Sequence, residues 1–172
     1  LVSGTGDDDN ASFNISGSDL RITASPNFEA KSSYSVRVST SDGALTFEKV
    51  FAVTINDLNE APGDIALSAS AINENVVANS VVGTLSSSDA DAGSSFTYAL
   101  VSGTGDDDNA SFNISGSDLR ITASPNFEAK SSYSVRVSTS DGALTFEKVF
   151  AVTINDLNEA PNNIALSASA IN

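Results

Sequence analysis

Residues 132–155 have the sequence SYSVRVSTSDGALTFEKVFAVTIN, and this stretch decides the fold class. Apolar and polar side chains alternate on both sides of Asp141-Gly142, which is a turn signal. The apolar positions are Tyr133, Val135, Val137, Phe146, Phe150, Val152 and Ile154. Such alternation is typical of strands that bury one face. The stretch therefore predicts two half-buried β-strands separated by a turn.

The same pattern extends through the preceding residues in shorter segments, and no segment keeps the 3.6-residue period of a helix. Strands are predicted at about 64–72, 80–87, 95–102, 111–115, 118–123, 132–140 and 143–155. Seven short strands in about 100 residues favour an all-β, immunoglobulin-like Greek-key sandwich. The Cys and Trp that mark a true immunoglobulin domain are missing.

The chain contains a long internal repeat. Residues 1–62 recur unchanged at 100–161, and residues 65–73 recur at 164–172. Each copy of Asn-Asp-Leu-Asn-Glu-Ala ends at a proline, Pro62 or Pro161, which indicates a domain boundary. We therefore expect a partial upstream repeat at 1–62, a complete repeat at 63–161, and the first strand of a third repeat at 162–172.

Composition excludes several kinds of chemistry. The 172 residues include no Cys and no His, so a Ser-His-Asp triad, a Cys nucleophile, an ordinary zinc site and a disulfide are all absent. With 22 acidic residues against 8 basic ones, the net charge is −14. This charge disfavours nucleic acid and anionic membranes as partners and favours a cation. No apolar run approaches the length of a membrane span, and no signal peptide is visible.

Strand direction predicts where the carboxylates collect. Successive strands of the sandwich run in opposite directions, so the acidic residues divide between its two ends. Glu74, Glu128, Asp156 and Glu159 are expected at one end, and Asp89, Asp91 and Asp141 at the other. Clustered carboxylates repel each other unless a cation is present. Ca²⁺ accepts six to eight oxygen ligands in flexible geometry and fits better than Mg²⁺.

Five segments of the complete repeat occur in the order of a known family. They are Ile72-Asn73-Glu74-Asn75, Ser88-Asp89-Ala90-Asp91-Ala92-Gly93, Asn126-Phe127-Glu128, the strand from Tyr133 to Asp141, and Asp156-Leu157-Asn158-Glu159-Ala160-Pro161. Together they resemble the cadherin fold, and most closely the cadherin-like tandem repeats of large bacterial surface and secreted adhesins.

This resemblance implies Ca²⁺ at the junctions between repeats. The ligands implied at a first junction are Asn27, Glu29, Asp57, Asn59, Glu60, Asp89, Asp91 and Asp141. Those implied at a second junction are Glu74, Asn126, Glu128, Asp156, Asn158 and Glu159. The sequence departs from the family pattern in two ways: Asn27 and Asn126 replace an Asp, and the linker is one residue shorter, with Glu in place of its second Asp.

Simpler interpretations compete with metal binding. Asp89 and Asp91 could form a solvated turn, and Asp141 could be only a turn residue. An EF-hand loop starting at Asp89 is excluded, because its twelfth position is Leu100. The further acidic run at 106–109 is expected to be a solvated loop, with an extra metal site as the less favoured alternative.

The hypothesis from sequence is an extracellular, Ca²⁺-rigidified structural extender module of a bacterial adhesin, whose partners are calcium ions and neighbouring repeats. The alternative is a ligand-binding module for carbohydrate or for homophilic contact. An enzyme is not expected, since every acidic cluster has a metal explanation. Residues 1–62 lack the first two strands and half of the third, so strand-exchanged self-association is also open.

Overall fold

The computed structural model describes residues 1–161 and 163–167. The chain divides into two compact units, Leu1–Glu60 and Ala61–Asn172. Strands account for nearly all regular structure, which confirms the predicted all-β class. The predicted first strand of a third repeat, 162–172, lies largely outside the described residues, and residues 163–167 form no strand. Within the described ranges, no helix has the length and apolar character needed to cross a membrane.

The second unit is a sandwich of two four-stranded sheets. Its strands are β5 (Asp64–Leu67), β6 (Ala71–Asn73), β7 (Val81–Ser88), β8 (Thr97–Leu100), β9 (Phe112–Ser115), β10 (Asp118–Ile121), β11 (Ser132–Ser140) and β12 (Thr145–Asn155). One sheet has the order β5-β7-β10-β9 and the other has the order β6-β12-β11-β8. This is the strand arrangement of an immunoglobulin-like Greek key, so the predicted architecture is confirmed.

The prediction of one continuous strand at 64–72 is wrong. The segment forms β5, antiparallel to β7 in one sheet, and β6, parallel to β12 in the other. The chain crosses between the sheets at Ser68 and Ala69. There Ser68 N donates a hydrogen bond to Thr84 O, and Thr84 N donates one to Ser68 Oγ. Gly83 permits the crossing, because a Cβ atom there would lie 2.5 Å from the carbonyl oxygen of Ala69.

Alternating apolar side chains fill the space between the two sheets. Ile65, Leu119, Val135 and Val152 are fully buried there. The rings of Phe112 and Tyr133 meet edge to face, with 5.6 Å between their centroids. Burying each such aliphatic side chain contributes roughly 1.5–3 kcal/mol, so this layer is the main source of stability.

The acidic run at 106–109 protects a strand edge. β8 pairs only with residues 137–140 of β11 and leaves the earlier part of β11 without a strand neighbour on that side. Ser134 N donates to the Asp108 carboxylate (2.8 Å), and Arg136 N donates to Asn109 Oδ1 (2.9 Å). Asp108 N donates to Ser134 O, and Asn109 Nδ2 donates to Arg136 O. We call Asp108 and Asn109 the edge clip.

The edge clip changes the expectation of a solvated loop. Asp107 is exposed, but the Asp108 side chain is largely covered and forms an ion pair with Lys130. Burial alone would raise the pKa of Asp108, yet the bonds donated by Lys130 and Ser134 lower it below its ordinary value. Asp108 is therefore engaged in holding β11, which leaves it unsuited to an extra metal site.

The first unit repeats part of this structure. Its strands are β1 (Phe13–Ser16), β2 (Asp19–Ile22), β3 (Ser33–Ser41) and β4 (Thr46–Thr54), paired as the hairpins β1-β2 and β3-β4. These hairpins have the sequences and registers of β9-β10 and of the corresponding part of β11-β12. Asp9 and Asn10 bond to Ser35 and Arg37 as the edge clip does. Among its described residues, the first unit has no counterpart of β5 to β8.

Candidate metal centre

Two parallel strands bring Glu74 and Asp156 to the same end of the second unit. β6 and β12 are in register at Asn73 and Asn155, so the residues that follow leave the sheet side by side. Asn155 Nδ2 donates to Asn73 Oδ1 (2.9 Å), and Glu74 N donates to Asn155 O (3.1 Å). These bonds fix the positions from which both carboxylates project.

Glu74 is the buried member of this group, with 1% of its surface exposed. Its carboxylate accepts hydrogen bonds from the backbone N–H groups of Leu157 (2.7 Å) and Phe127 (2.8 Å). The amide of Leu157, followed by that of Phe127, holds the pKa of Glu74 below its ordinary value. Glu74 is therefore ionised at neutral pH and ties the linker after β12 to the loop after β10.

Three exposed carboxylates surround this buried one. Glu128, Asp156 and Glu159 each offer an oxygen, and these atoms and one from Glu74 all lie within 4.8 Å of one another. Two such charges repel by about 1 kcal/mol in water and by several times more near a protein surface. Asn75 Nδ2 donates to Glu159 (2.8 Å), which satisfies only a small part of the negative charge. A set of carboxylate oxygens at this spacing is the ligand chemistry that Ca²⁺ accepts.

Two asparagines, Asn126 and Asn158, are also implied at this site. Asn126 Oδ1 accepts a hydrogen bond from Ala129 N (2.6 Å), and Lys130 N donates to Asn126 O. Asn126 therefore shapes the turn that carries Glu128. Asn158 lies exposed in the linker.

The first unit assembles the matching exposed carboxylates. Glu29, Asp57 and Glu60 each offer an oxygen within 4.8 Å of the others. Asn27 Oδ1 accepts from Ala30 N (2.6 Å), as Asn126 does in the second unit, and Asn59 Nδ2 donates to the Glu60 carbonyl (2.9 Å). The described residues of this unit contain no counterpart of Glu74.

The opposite end of the second unit carries Asp89, Asp91 and Asp141. Ser87 Oγ donates to Thr139 Oγ1 (2.9 Å), so β7 and β11 meet two residues before Asp89 and Asp141. Asp89 Oδ1 accepts from Asp91 N (3.1 Å), whereas Asp89 Oδ2 is buried and has no hydrogen-bond partner within the described part of the chain.

Asp141 also acts as a turn residue. Its Oδ1 accepts from the N–H groups of Ala143 and Leu144, both at 2.7 Å. Such bonds are the ones by which Asp stabilises a tight turn.

Sequence reasoning missed the contributions of Phe127, Leu157 and Asn75. The first two act through backbone N–H groups, which leave no trace in side-chain identity. Asn75 has a φ of 61°, a left-handed conformation that Asn adopts more readily than most residues. In the sequence, an Asn directly after Glu74 was the one sign that the backbone adopts this conformation there.

No protein-family model matches the sequence, and no curated protein matches it. Among solved structures, the chain is similar to human protocadherin-24 EC1-2, with a TM-score of 0.70 and 18% identity over 91% of this chain and 80% of that one. It is similar to protocadherin gamma B2 extracellular cadherin domains 3-6 (TM-score 0.66, 19% identity, 91% and 39% covered). It is also similar to protocadherin gamma B7 extracellular cadherin domains 1-4 (TM-score 0.63, 20% identity, 88% and 39% covered).

The chain spans about two fifths of each of the last two structures. Sequence identity of 18–20% shows the fold alone. The resemblance drawn from the five sequence segments is therefore confirmed for the fold. The chain has the cadherin fold, an immunoglobulin-like β-sandwich.

Proposed function

We propose that the chain is a Ca²⁺-rigidified structural module of a bacterial cell-surface or secreted adhesin, in which tandem repeats act as an extender. In this proposal residues 1–62 end one repeat, 63–161 form a complete repeat and 162–172 begin another. The observation that carries it is the buried Glu74 carboxyl group, one oxygen of which lies within 4.8 Å of oxygens from three further carboxylates. The bacterial context rests on the sequence resemblance alone.

The residues present fit Ca²⁺ on two counts. All the candidate donors are oxygen atoms of Asp, Glu and Asn, which a hard cation prefers. At the other end of the sandwich, Asp89 keeps a buried carboxylate oxygen without a partner in the described residues, and leaving such an atom unsatisfied is costly. Bound Ca²⁺ supplies the positive charge that cancels the repulsion within each cluster.

Rigidity follows from which segments carry the ligands. Glu74 directly follows β6, Glu128 lies in the loop after β10, and Asp156 and Glu159 belong to the linker after β12. An ion held by all of them fixes the linker to the body of its own repeat. Without the ion, the carboxylates repel, and the linker is held less firmly, by bonds such as that from Leu157 N to Glu74.

The same logic extends the proposal to a junction between successive repeats. The upstream repeat would contribute Asn27, Glu29, Asp57, Asn59 and Glu60, and the downstream repeat Asp89, Asp91 and Asp141. Two observations support this grouping: Glu29, Asp57 and Glu60 offer oxygens within 4.8 Å of one another, and β7 contacts β11 two residues before Asp89 and Asp141. A spacer also suits repeats of identical sequence, since recognition surfaces would be expected to differ from repeat to repeat.

Calorimetry and thermal unfolding of the full chain test the proposal. Calcium is expected to bind with measurable heat and to raise the free energy of unfolding by about 2.7 kcal/mol at 100 times its Kd. Asp156→Asn should weaken binding, whereas Asp107→Asn, which removes an exposed carboxylate outside the cluster, should not. An absence of both heat and a melting-temperature shift at millimolar Ca²⁺ would refute the proposal, and a response to Mg²⁺ alone would refute its choice of ion.

A further inference from the structure

The loop between β6 and β7 contains two asparagines with left-handed backbones. Asn75 has a φ of 61° and Asn79 has a φ of 64°, a region that few residues other than Gly, Asn and Asp adopt. Asn75 N donates to the carbonyl oxygen of Pro125 (3.0 Å), and Asn79 N donates to that of Ile121 (2.8 Å). These bonds fix both backbones to β10 and the loop after it, so each amide side chain projects from a defined position.

The two asparagine side chains have different partners. Asn75 Nδ2 donates to Glu159 Oε1 (2.8 Å), and Glu159 is one of the four residues of the candidate metal centre. Asn79 Oδ1 instead accepts from Nδ2 of Asn113 (2.9 Å), on β9. The loop therefore holds two residues of the same type and backbone conformation, of which Asn75 contacts the metal centre and Asn79 contacts a strand.

Asn75 acts together with Glu74 on the linker after β12. Glu74 Oε1 accepts from Leu157 N (2.7 Å), which fixes the path of the linker backbone. Asn75 contacts the side chain of Glu159, two residues further along. A Glu side chain has three rotatable bonds and is among those that lose most conformational freedom when they are fixed. The backbone contact alone leaves the direction of the Glu159 carboxylate open, and the amide of Asn75 sets it.

We propose that Asn75 is a positioning residue for the metal centre, because its amide holds Glu159 with an oxygen beside those of the other three carboxylates. The inference rests on the proposed function and deepens it. A carboxylate has about four lone-pair sites, and the amide uses one of them, so the others remain for a cation. The amide is also uncharged, so it orients the carboxylate without neutralising the charge that attracts the ion.

A ligand that is ordered beforehand raises affinity, because the ion no longer has to order it on binding. Without the amide, Glu159 can turn away from its neighbours, and their mutual repulsion favours that movement. The loss of one hydrogen bond to a charged group, together with this freedom, should weaken binding about fivefold or more. The stability of the ion-free fold should change little, since the bond between Asn75 and Glu159 is exposed.

The test is calorimetric titration of the full chain with Ca²⁺, and the binding step that Asp156→Asn weakens is the one assigned to this centre. Asn75→Gly removes the amide and keeps the backbone, because Gly adopts positive φ without strain. It should raise the Kd of that step about fivefold or more, whereas Asn79→Gly, the matched control, should change it less than about twofold. In chelator both glycine variants should unfold within about 4 °C of the unmodified chain.

A double-mutant cycle separates positioning from a structural role in the loop. Glu159→Ala leaves no carboxylate for Asn75 to orient, so Asn75→Gly added to it should change the Kd less than about twofold further. A purely structural role would instead give Asn75→Gly the same effect with and without Glu159, because the loop is unchanged by that substitution.

The outcomes distinguish this inference from the proposed function. An unchanged Kd in Asn75→Gly, an equal loss in Asn79→Gly, or an equal effect of Asn75→Gly in both backgrounds of the cycle would overturn the role of Asn75 and leave the Ca²⁺ proposal intact. If the unmodified chain takes up no Ca²⁺, or if Asp156→Asn weakens no binding step, the proposed function fails and this inference fails with it.

Discussion

Leu119→Ala and Leu20→Ala form a matched pair, because the two leucines occupy the same position in identical sequences. Leu119 is fully buried between the sheets, and Leu20 in the first unit is 38% exposed. Removing a fully buried leucine side chain loses its transfer free energy and leaves a cavity, at a cost of about 3–5 kcal/mol. Leu20→Ala creates no enclosed cavity and loses only part of the transfer free energy, so its cost should be about 1.5 kcal/mol or less.

Urea unfolding of the full chain measures both values. With a slope of about 2 kcal/mol/M, the middle of the usual range, Leu119→Ala should move the main midpoint down by about 1.5 M or more. In a thermal scan the melting temperature should fall by about 12 °C or more, since 1 kcal/mol is worth roughly 4–8 °C in a domain of this size. Leu20→Ala should leave the main transition within about 0.75 M of the unmodified chain.

Equal shifts for the two substitutions would refute the reasoning. They would mean that Leu20 is covered as completely as Leu119, so that the residues of β5 to β8 are not what distinguishes the two environments. A larger effect of Leu20→Ala would have the same consequence. A check on the comparison is that the urea slope stays unchanged, because a changed slope signals loss of two-state unfolding.

Three further predictions concern charged and polar contacts. Folding lowers the pKa of Glu74, so the contribution of this carboxylate to the free energy of unfolding is complete above the ordinary value near 4.5 and is lost as pH falls through the lower folded value. In chelator, Glu74→Gln should therefore make stability fall less steeply with decreasing pH, and an unchanged acid side of the stability–pH curve would contradict the assignment. Lys148→Gln should reduce stability by an amount below about 1 kcal/mol but more than Lys49→Gln does, because only Lys148 meets Asp64; equal melting temperatures would count against this pairing. Asn109→Ala removes three hydrogen bonds to Val101 and Arg136 and should cost about 2 kcal/mol or more. Asn113→Ala removes one exposed hydrogen bond to Asn79 and should cost under about 1 kcal/mol. Urea midpoints of the two variants check that Asn109→Ala is the more destabilising.

The sequence predicted the strands best where local alternation is long. The predicted strand 132–140 has the bounds of β11, and 143–155 differs from β12 by two residues at its start. The strand at 64–72 was wrongly predicted as continuous. Alternation alone cannot show that the chain changes sheets, because the crossing requires space that Gly83, which is distant in sequence, leaves beside Ala69.

The candidate site was predictable to the extent that it depends on strand direction. That argument placed Glu74, Glu128, Asp156 and Glu159 at one end, and their oxygens lie within 4.8 Å of one another. The burial of Glu74 could not be foreseen, because its partners are two backbone amides from two other segments, at Phe127 and Leu157. The role of Asp108 could not be predicted for a related reason. The sequence of an acidic run does not show whether its side chains are solvated or hydrogen-bonded to a neighbouring strand.

The edge clip has a consequence for a polypeptide that repeats itself. A bare strand edge can pair with any matching strand, and identical repeats joined by short linkers place matching strands near each other at very high local concentration. Asp108 and Asn109 occupy the amide and carbonyl groups of Ser134 and Arg136 that such a strand would use. Asp9 and Asn10 do the same in the first unit. Each of the two copies therefore blocks the strand edge through which neighbouring repeats could mispair during folding.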